Sequence, residues 1–240
     1  MTRLQKALAG PRPKTVPQVV ERLRAIEAAL PPRDGVRAFT TLYLAVTENV
    51  QAALRPGAFR DTAFVERLDV VFANLFFTAL KAFTADPAKA PRAWAPLCAA
   101  RSRRRIAPLQ FALCGMNAHI NRDLPVALVQ TAKEAGLDLE RAKVEHSDFT
   151  SVNAILARTE AAVKKRFATG LVGVADAALG ELDDRVAMWD VGRAREAAWV
   201  QGQILWTLRA IPPLSRRYLD TLDRTVGFAG RGLLVPLPKA

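Results

Sequence analysis

The sequence predicts an all-α protein, a single-domain multi-helix bundle with a polar interior site. Three observations predict it. Alanine is abundant and glycine scarce, at 13 of 240 residues, a balance that favours helix over strand. Apolar residues recur at helical spacing along most of the chain and rarely alternate. One nearly charge-free segment, "CGMNAHINRDLPVAL" at 114–128, carries Asn117, His119, Asn121 and Asp123 within seven positions.

Each element follows from local signals. Residues 1–14 are basic and broken by Pro11 and Pro13, which predicts a flexible basic arm. "TVPQVVERLRAIEAALPP" reads as an amphipathic helix, capped by Thr15 and stopped by Pro31-Pro32. "GVRAFTTLYLAVTENVQAAL" is a second helix, with Phe39, Leu42, Tyr43, Val46 and Val50 on one broad face. "DTAFVERLDVVFANLFFTALKAF" is a third, capped by Asp61 and apolar almost all round except at Asp69 and Asn74. A proline-marked piece, "DPAKAPRAWAPLCAARSRRR", leads into a central segment from Ile106 to about Gly136, which Pro125 kinks or divides. "LDLERAKVEHSDF" is a polar connection, and Ser147 or Asp148 caps the helix "FTSVNAILARTEAAVKKRFA". Its continuation through Gly170 to Leu182 is weaker. "RVAMWDVGRAREAAWVQGQILWTLRAI" is a long helix closed by Pro212-Pro213, and "SRRYLDTLDRTVGF" is a last short one. The expected boundaries are a helical domain over 15–228 and an extended tail over 229–240. No linker-like stretch and no internal repeat divides the chain.

The formal net charge is +12, which raises nucleic acid, anionic membrane surfaces and acidic ligands as partners. The densest cluster, Arg101 and Arg103 to Arg105, lacks interleaved aromatics and any nucleic-acid-binding motif, so solvated helix faces explain the charge better. Cys98 and Cys114 form neither a CxxC pair nor a disulfide framework. The longest apolar stretch, Ile106 to Ile120, is too short to span a membrane, and the N-terminus carries no secretory signal. A soluble, cytoplasmic chain is expected.

His119 and Asp123 lie four apart and share one helical face, and so do Asn117 and Asn121. Unpaired buried polar groups cost about 1–3 kcal/mol each, and charges more. They must therefore bond to partners or line a cavity. Glu48, Asp69, Asn74, Asp148 and Asn153 interrupt other apolar helices and are the candidate partners. One reading is an enzyme acting on a small molecule. His119, Asp123 and Asp69 are its catalytic groups, and Asn121, Asn153 and Glu48 bind substrate. A divalent metal ion on His119, Asp123, Asp69 and Asp148 is one form of it, with hydrolysis or oxidation as the leading chemistry. The other reading is a non-catalytic protein that binds a ligand or partner, in which the same groups only specify packing. His146 and Asp148 form an HxD pair, for which capping is the simpler role. No ExxH, HExxH, Walker loop, GxGxxG or GxSxG occurs. Trp189, Trp199 and Trp206 are core or pocket wall.

The constellation "NAHINRDLPVAL", with "LDVVFANLFF" before it and "DFTSVNAIL" after it, resembles an uncharacterised, largely actinobacterial family of helical proteins. The likeness covers about residues 35–210 and centres on an HINxDL motif. It implies a shared fold and no established activity, and it groups His119, Asn121, Asp123, Asp69, Asp148 and Asn153. The His/Asp pair four apart is also similar to zinc-dependent phospholipases C and nucleases. Those enzymes need several more histidines than the two present here, so no trinuclear zinc site is assigned.

Overall fold

A computed structural model describes residues 1–168 and 190–236, with side chains described outside 158–168. The weak helix expected through Gly170 to Leu182, and Trp189, lie outside the described residues. Every regular element among those described is helical. In chain order they are α1 (Arg3–Leu8), α2 (Val16–Ala29), α3 (Gly35–Ala53), α4 (Thr62–Ala85), α5 (Ala95–Ala100), α6 (Pro108–Ala118), α7 (Leu124–Ala135), α8 (Lys143–Ala168), α9 (Val191–Leu208) and α10 (Pro212–Leu233).

The starts follow from capping. Thr15, Asp34, Asp61 and Asp190 accept the backbone N–H groups of Gln18, Val36, Phe64 and Arg193, each cap being worth about 1 kcal/mol. Four local expectations differ from what is observed. Residues 1–14 are not a loose arm throughout: Thr2 and Gln5 form a capping box that starts α1, and Leu4 and Leu8 are buried in the core. α8 begins at Lys143, so "VEHSDF" is helical and not a connection. Pro212-Pro213 occupies the first turn of α10, where a missing N–H costs nothing. α10 runs on to Leu233, so the extended tail does not begin at 229.

α4 is a long apolar helix. It is long and apolar enough to cross a membrane, which Ile106 to Ile120 is not, and half of its most apolar stretch is buried by other helices. It lies between two apolar clusters. One gathers Leu23, Ile26, Phe39, Phe76, Trp94 and Leu97. The other gathers Phe64, Leu68, Leu128, Phe149, Trp199 and Trp206. Met116 of α6 packs against both, which puts the central segment at their seam.

α6 and α7 are joined by a single π-helical turn, His119–Asp123. The Leu124 N–H bonds the His119 carbonyl five residues back. Pro125 is the cause. It has no N–H to give the Asn121 carbonyl, and its ring crowds that carbonyl. Widening the turn by one residue keeps the helix running instead of breaking it.

α3 and α6 approach closely because each offers a glycine to the other's phenyl ring. A Cβ on Gly35 would lie 2.4 Å from Phe111, and one on Gly115 would lie 2.3 Å from Phe39. α10 is tied to α6 by polar groups. Gln110 Nε2 donates to the Leu233 and Val235 carbonyls, and Asn117 Nδ2 donates to the Val226 carbonyl.

Gly115→Ala gains up to about 1 kcal/mol of helix propensity but forces Phe39 off its seat, at about 1–3 kcal/mol for overpacking. Denaturant unfolding should show a net loss of stability. Gly232→Ala, where a Cβ meets nothing within 4 Å, should show none.

Candidate functional site

The π turn places His119 and Asp123 on one side of the central segment. His119 is 2% exposed and Asp123 has no exposed surface. Asp123 Oδ2 accepts from the Trp94 indole N–H at 2.9 Å and lies 3.3 Å from His119 Nδ1. Its other oxygen accepts from Arg122 Nη1 at 2.7 Å. Arg122 Nε also pairs with Asp223 of α10 at 3.3 Å. Asp223 in turn accepts the Arg92 and Ala93 backbone N–H groups, next to Trp94. A closed ring of contacts thus holds the carboxylate from behind.

Because Asp123 can only accept, His119 carries its proton on Nδ1, and Nε2 presents a lone pair. The imidazole is gripped on both faces and its edge. It stacks on Phe72 with ring centroids 3.5 Å apart and meets the Tyr43 ring edge-on at 4.5 Å. Phe39 and Trp94 complete the box, with ring centroids 5.7 and 5.9 Å away. Burial pulls the His119 pKa down against the opposing pull of Asp123, so the ring is neutral at neutral pH.

In front of the ring lies a cavity of about 100 Å³. Its wall is mostly apolar, from α3, α4, α6, α8 and α9, and includes Leu42, Val46, Leu68, Phe149 and Val191. Four polar side chains also line it: Tyr43, Asp69, His119 and Arg195. Tyr43 Oη, Asp69 Oδ2 and His119 Nε2 are buried and have no hydrogen-bond partner among the described residues. Asp69 as a residue is only half-buried, but Oδ2 itself is enclosed. Burial pushes its pKa from 3.8 to about 7, against the opposing charge of Arg195. Burial, and then the charge of Asp69, outweighs the nearby Thr47 hydroxyl, which pulls the other way without a well-formed hydrogen bond, and holds the Tyr43 phenol well above its usual value, so it stays protonated. Arg195 is fixed elsewhere. Its Nε donates to Asn153 Oδ1 and its Nη2 to the Phe149 carbonyl, both at 2.7 Å, and it lies over the Phe149 ring.

Of the residues the sequence singled out, the structure brings His119, Asp123 and Asp69 to one place. The others do different work. Asn121 donates to Asn117, and that pair faces α10. Asn153 touches the site only through Arg195. Asp148 does not cap its own helix; it holds the backbone just before α4 by accepting the Arg60 and Asp61 N–H groups. Glu48 is not in the polar interior: it is partly exposed and pairs with Arg24 at 2.7 Å. Asn74 holds the Pro13 carbonyl. His146 pairs with Glu196 near the surface. Sequence reasoning missed Tyr43, Trp94, Arg122 and Arg195 as site residues. Only Arg195 left a clear signal, as an arginine on the buried stripe of Val191, Ala198, Gly202 and Leu205. Among the described residues no three His, Cys, Asp or Glu side chains are grouped to hold a metal ion, and Asp123 is fully occupied by Trp94, Arg122 and His119.

Asp69 binds its proton more tightly in the folded chain than in the unfolded one, so stability is lost as pH rises from about 4 through about 7. His119, with a lowered value, costs stability as pH falls through 6.5, the opposite sense. Comparing Asp69→Asn with the wild type cancels the histidine. From about pH 5 to about pH 8 the melting-temperature difference should move steadily in the variant's favour; a difference that stays flat contradicts an enclosed carboxyl at this position.

A family model described as a family of unknown function, DUF5995, matches residues 16–236. Searches of curated proteins and of solved structures returned no match. With nearly the whole described fold inside the matched span, this chain belongs to the DUF5995 family of unknown function.

Proposed function

We propose that this protein is a small-molecule enzyme of the general acid–base type, with its reaction centre in the cavity in front of His119. The carrying observation is that three residues lining one mostly apolar cavity, Tyr43, Asp69 and His119, each carry a buried polar atom (Oη, Oδ2 and Nε2) with no hydrogen-bond partner among the described residues. Each would cost about 1–3 kcal/mol if nothing met it. A cavity of this size holds several waters or one small ligand.

The roles follow from the surroundings. His119 Nε2 is the base, and its lone pair is aimed by the Nδ1–H bond to Asp123. Asp123 is a positioning residue that also steadies the imidazolium formed when the base takes a proton. Asp69, with a pKa near 7, is suited to give or take a proton at neutral pH. The two groups are displaced in opposite senses by the same enclosure, and such divergence separates an acid from a base. A base of this kind serves hydrolysis directly, by activating a water. A π turn carrying both members of the pair supports the reading, since such turns are frequent at functional sites.

A second reading is a purely structural network. It is favoured by the ring of contacts through Asp123, Trp94, Arg122 and Asp223, which ties α5, the π turn and α10 together. That ring uses only the Nδ1 side of His119 and leaves Nε2 unexplained.

The readings separate on His119→Gln. As an enzyme, the wild type should turn over a member of a small ester panel, and the variant should lose about 100-fold or more with its circular dichroism retained. Turnover unchanged in both His119→Gln and Asp69→Asn, or no turnover and a melting temperature reduced by His119→Gln, supports the structural network.

A further inference from the structure

The corner between α9 and α10 stands out on the surface. Six consecutive residues, Arg209 to Leu214, are exposed, and all but the arginine are apolar. Ile211 and Leu214 keep 50% and 46% of their surface open, too much for side chains that serve a core. Val200 and Ile204, also exposed, lie four apart on the stretch of α9 that leads into the corner. Of the eight large apolar side chains exposed among the described residues, four thus fall between positions 200 and 214.

The backbone of the corner suits an apolar medium too. A helix start ordinarily leaves its first four N–H groups unmet, which makes it costly to bring out of water. α10 leaves none. The Ile211 N–H donates to the Leu208 carbonyl at 2.9 Å, and the Leu214 and Ser215 N–H groups both donate to the Ile211 carbonyl, at 3.0 and 3.1 Å. Pro212 and Pro213 have no N–H to place. Charge sits just behind. Arg216 and Arg217 are exposed, and their guanidinium groups have no partner among the described residues. Arg216 follows Pro213 by three positions and Arg217 follows Leu214 by three, so each lies about one turn behind an apolar tip. Side chains on a helix lean toward its N-terminus, which brings both arginines toward the corner. Arg209 is already engaged, laid over the Trp206 ring at 3.6 Å.

Three kinds of partner could cover such a surface, and its chemistry favours one. In a two-fold contact with a second copy the patch meets itself, so the arginines would face like charge in a chain of net charge +12. A nucleic acid would neutralise the arginines, but the residues from Ala210 to Leu214 offer no aromatic ring for a base to stack on, and the aliphatic side chains would gain nothing from phosphates. An anionic lipid surface meets both parts. Aliphatic tips enter the boundary between headgroups and acyl chains, and arginines reach the phosphates with their apolar stems alongside.

We infer that the α9–α10 corner is a docking surface for an anionic lipid bilayer, with Ile211 and Leu214 dipping below the headgroups and Arg216 and Arg217 held by lipid phosphates. The attachment is to one leaflet, by the tip of a single helical turn. It needs nothing of the cavity around His119 and stands or falls apart from it.

The test is co-sedimentation of the intact chain with two kinds of vesicle, phosphatidylcholine alone and phosphatidylcholine with about one-third phosphatidylserine. The anionic vesicles should be bound at least about tenfold more tightly than the neutral ones. Arg216→Gln/Arg217→Gln should weaken that binding about tenfold or more. Ile211→Ser/Leu214→Ser keeps the charge and should also weaken it about tenfold. Arg103→Gln/Arg104→Gln removes the same charge from the exposed loop before α6, whose Gln110 holds the far end of α10, and should leave binding within about twofold. An equal loss in that last variant reduces the effect to net charge and overturns the docking surface. Binding unchanged by Ile211→Ser/Leu214→Ser, or equal on neutral and anionic vesicles, overturns it as well. No vesicle binding overturns it outright. A mixed-sequence oligonucleotide bound through Arg216 and Arg217, or a dimer that Leu214→Asp dissociates in light scattering, would then assign the corner to nucleic acid or to a second copy.

Discussion

Asp123 has no exposed surface, and removing an ionised carboxyl from water costs several kcal/mol unless its oxygens are met. Here they are met by three groups: the Trp94 indole from the start of α5, and the Arg122 guanidinium and His119 imidazole from the same π turn. Arg122 is itself steadied by Asp223, which also binds the backbone just before Trp94. Each contact in this ring holds its neighbours in place. Losing one partner of a buried pair typically costs about 3–5 kcal/mol, because the other is left charged and unmet. The position of the imidazole, the docking of α10 and the approach of α5 are therefore one constraint, centred on one carboxylate.

The site is polarised from back to front by this arrangement. Behind the ring both Asp123 oxygens have partners, and Arg122 Nε lies within ion-pair distance of Asp223. In front of it Tyr43, Asp69 and His119 each keep a buried polar atom without a partner among the described residues. Apolar packing keeps the two sides apart. Phe39 can press on the imidazole because Gly115 makes room for it on α6, and Phe72 covers one face of the ring. A histidine kept only for packing would be expected to use both nitrogens, since the second costs as much to bury as the first.

Much of the fold was legible because its signals are local. Asp61 before an apolar run and Thr15 with Pro17 after it act within a few residues, whereas Pro212-Pro213 reads equally as a stop and starts a helix instead. The helical class and the bundle follow from them. The convergence of His119, Asp123 and Asp69 was legible in outline, since costly groups on apolar helices must meet something. The exact partners were not. Glu48 and Asp148 look like Asp69 in sequence, yet one meets Arg24 at the surface and the other holds the backbone leading into α4. Which acid faces a cavity depends on how whole helices rotate against one another, and no window along the chain contains that. Tyr43 was hidden for a related reason. On an apolar stripe a tyrosine reads as core until its hydroxyl is seen to lack a partner. The π turn was legible only as a disturbance at Pro125, because widening and breaking a helix begin from the same missing N–H.

Asp69 shows why the polarity in the cavity is held rather than neutralised. It sits on the long apolar helix α4, caps nothing, and has Arg195 close enough to lower its pKa. An arginine free to turn would close that gap and give the carboxyl a salt bridge. Arg195 is not free: Asn153 and the Phe149 carbonyl take two of its donors and the Phe149 ring lies beneath it. Asn153 and Phe149 belong to the same helix, so the restraint is built into α8. The guanidinium therefore moderates the carboxyl without neutralising it, and leaves it near 7. An apolar residue at position 69 would pack more cheaply, and a mobile arginine would pair more tightly. The sequence has neither, and the consequence is a carboxyl that changes protonation in the range where a neutral imidazole stands ready to accept.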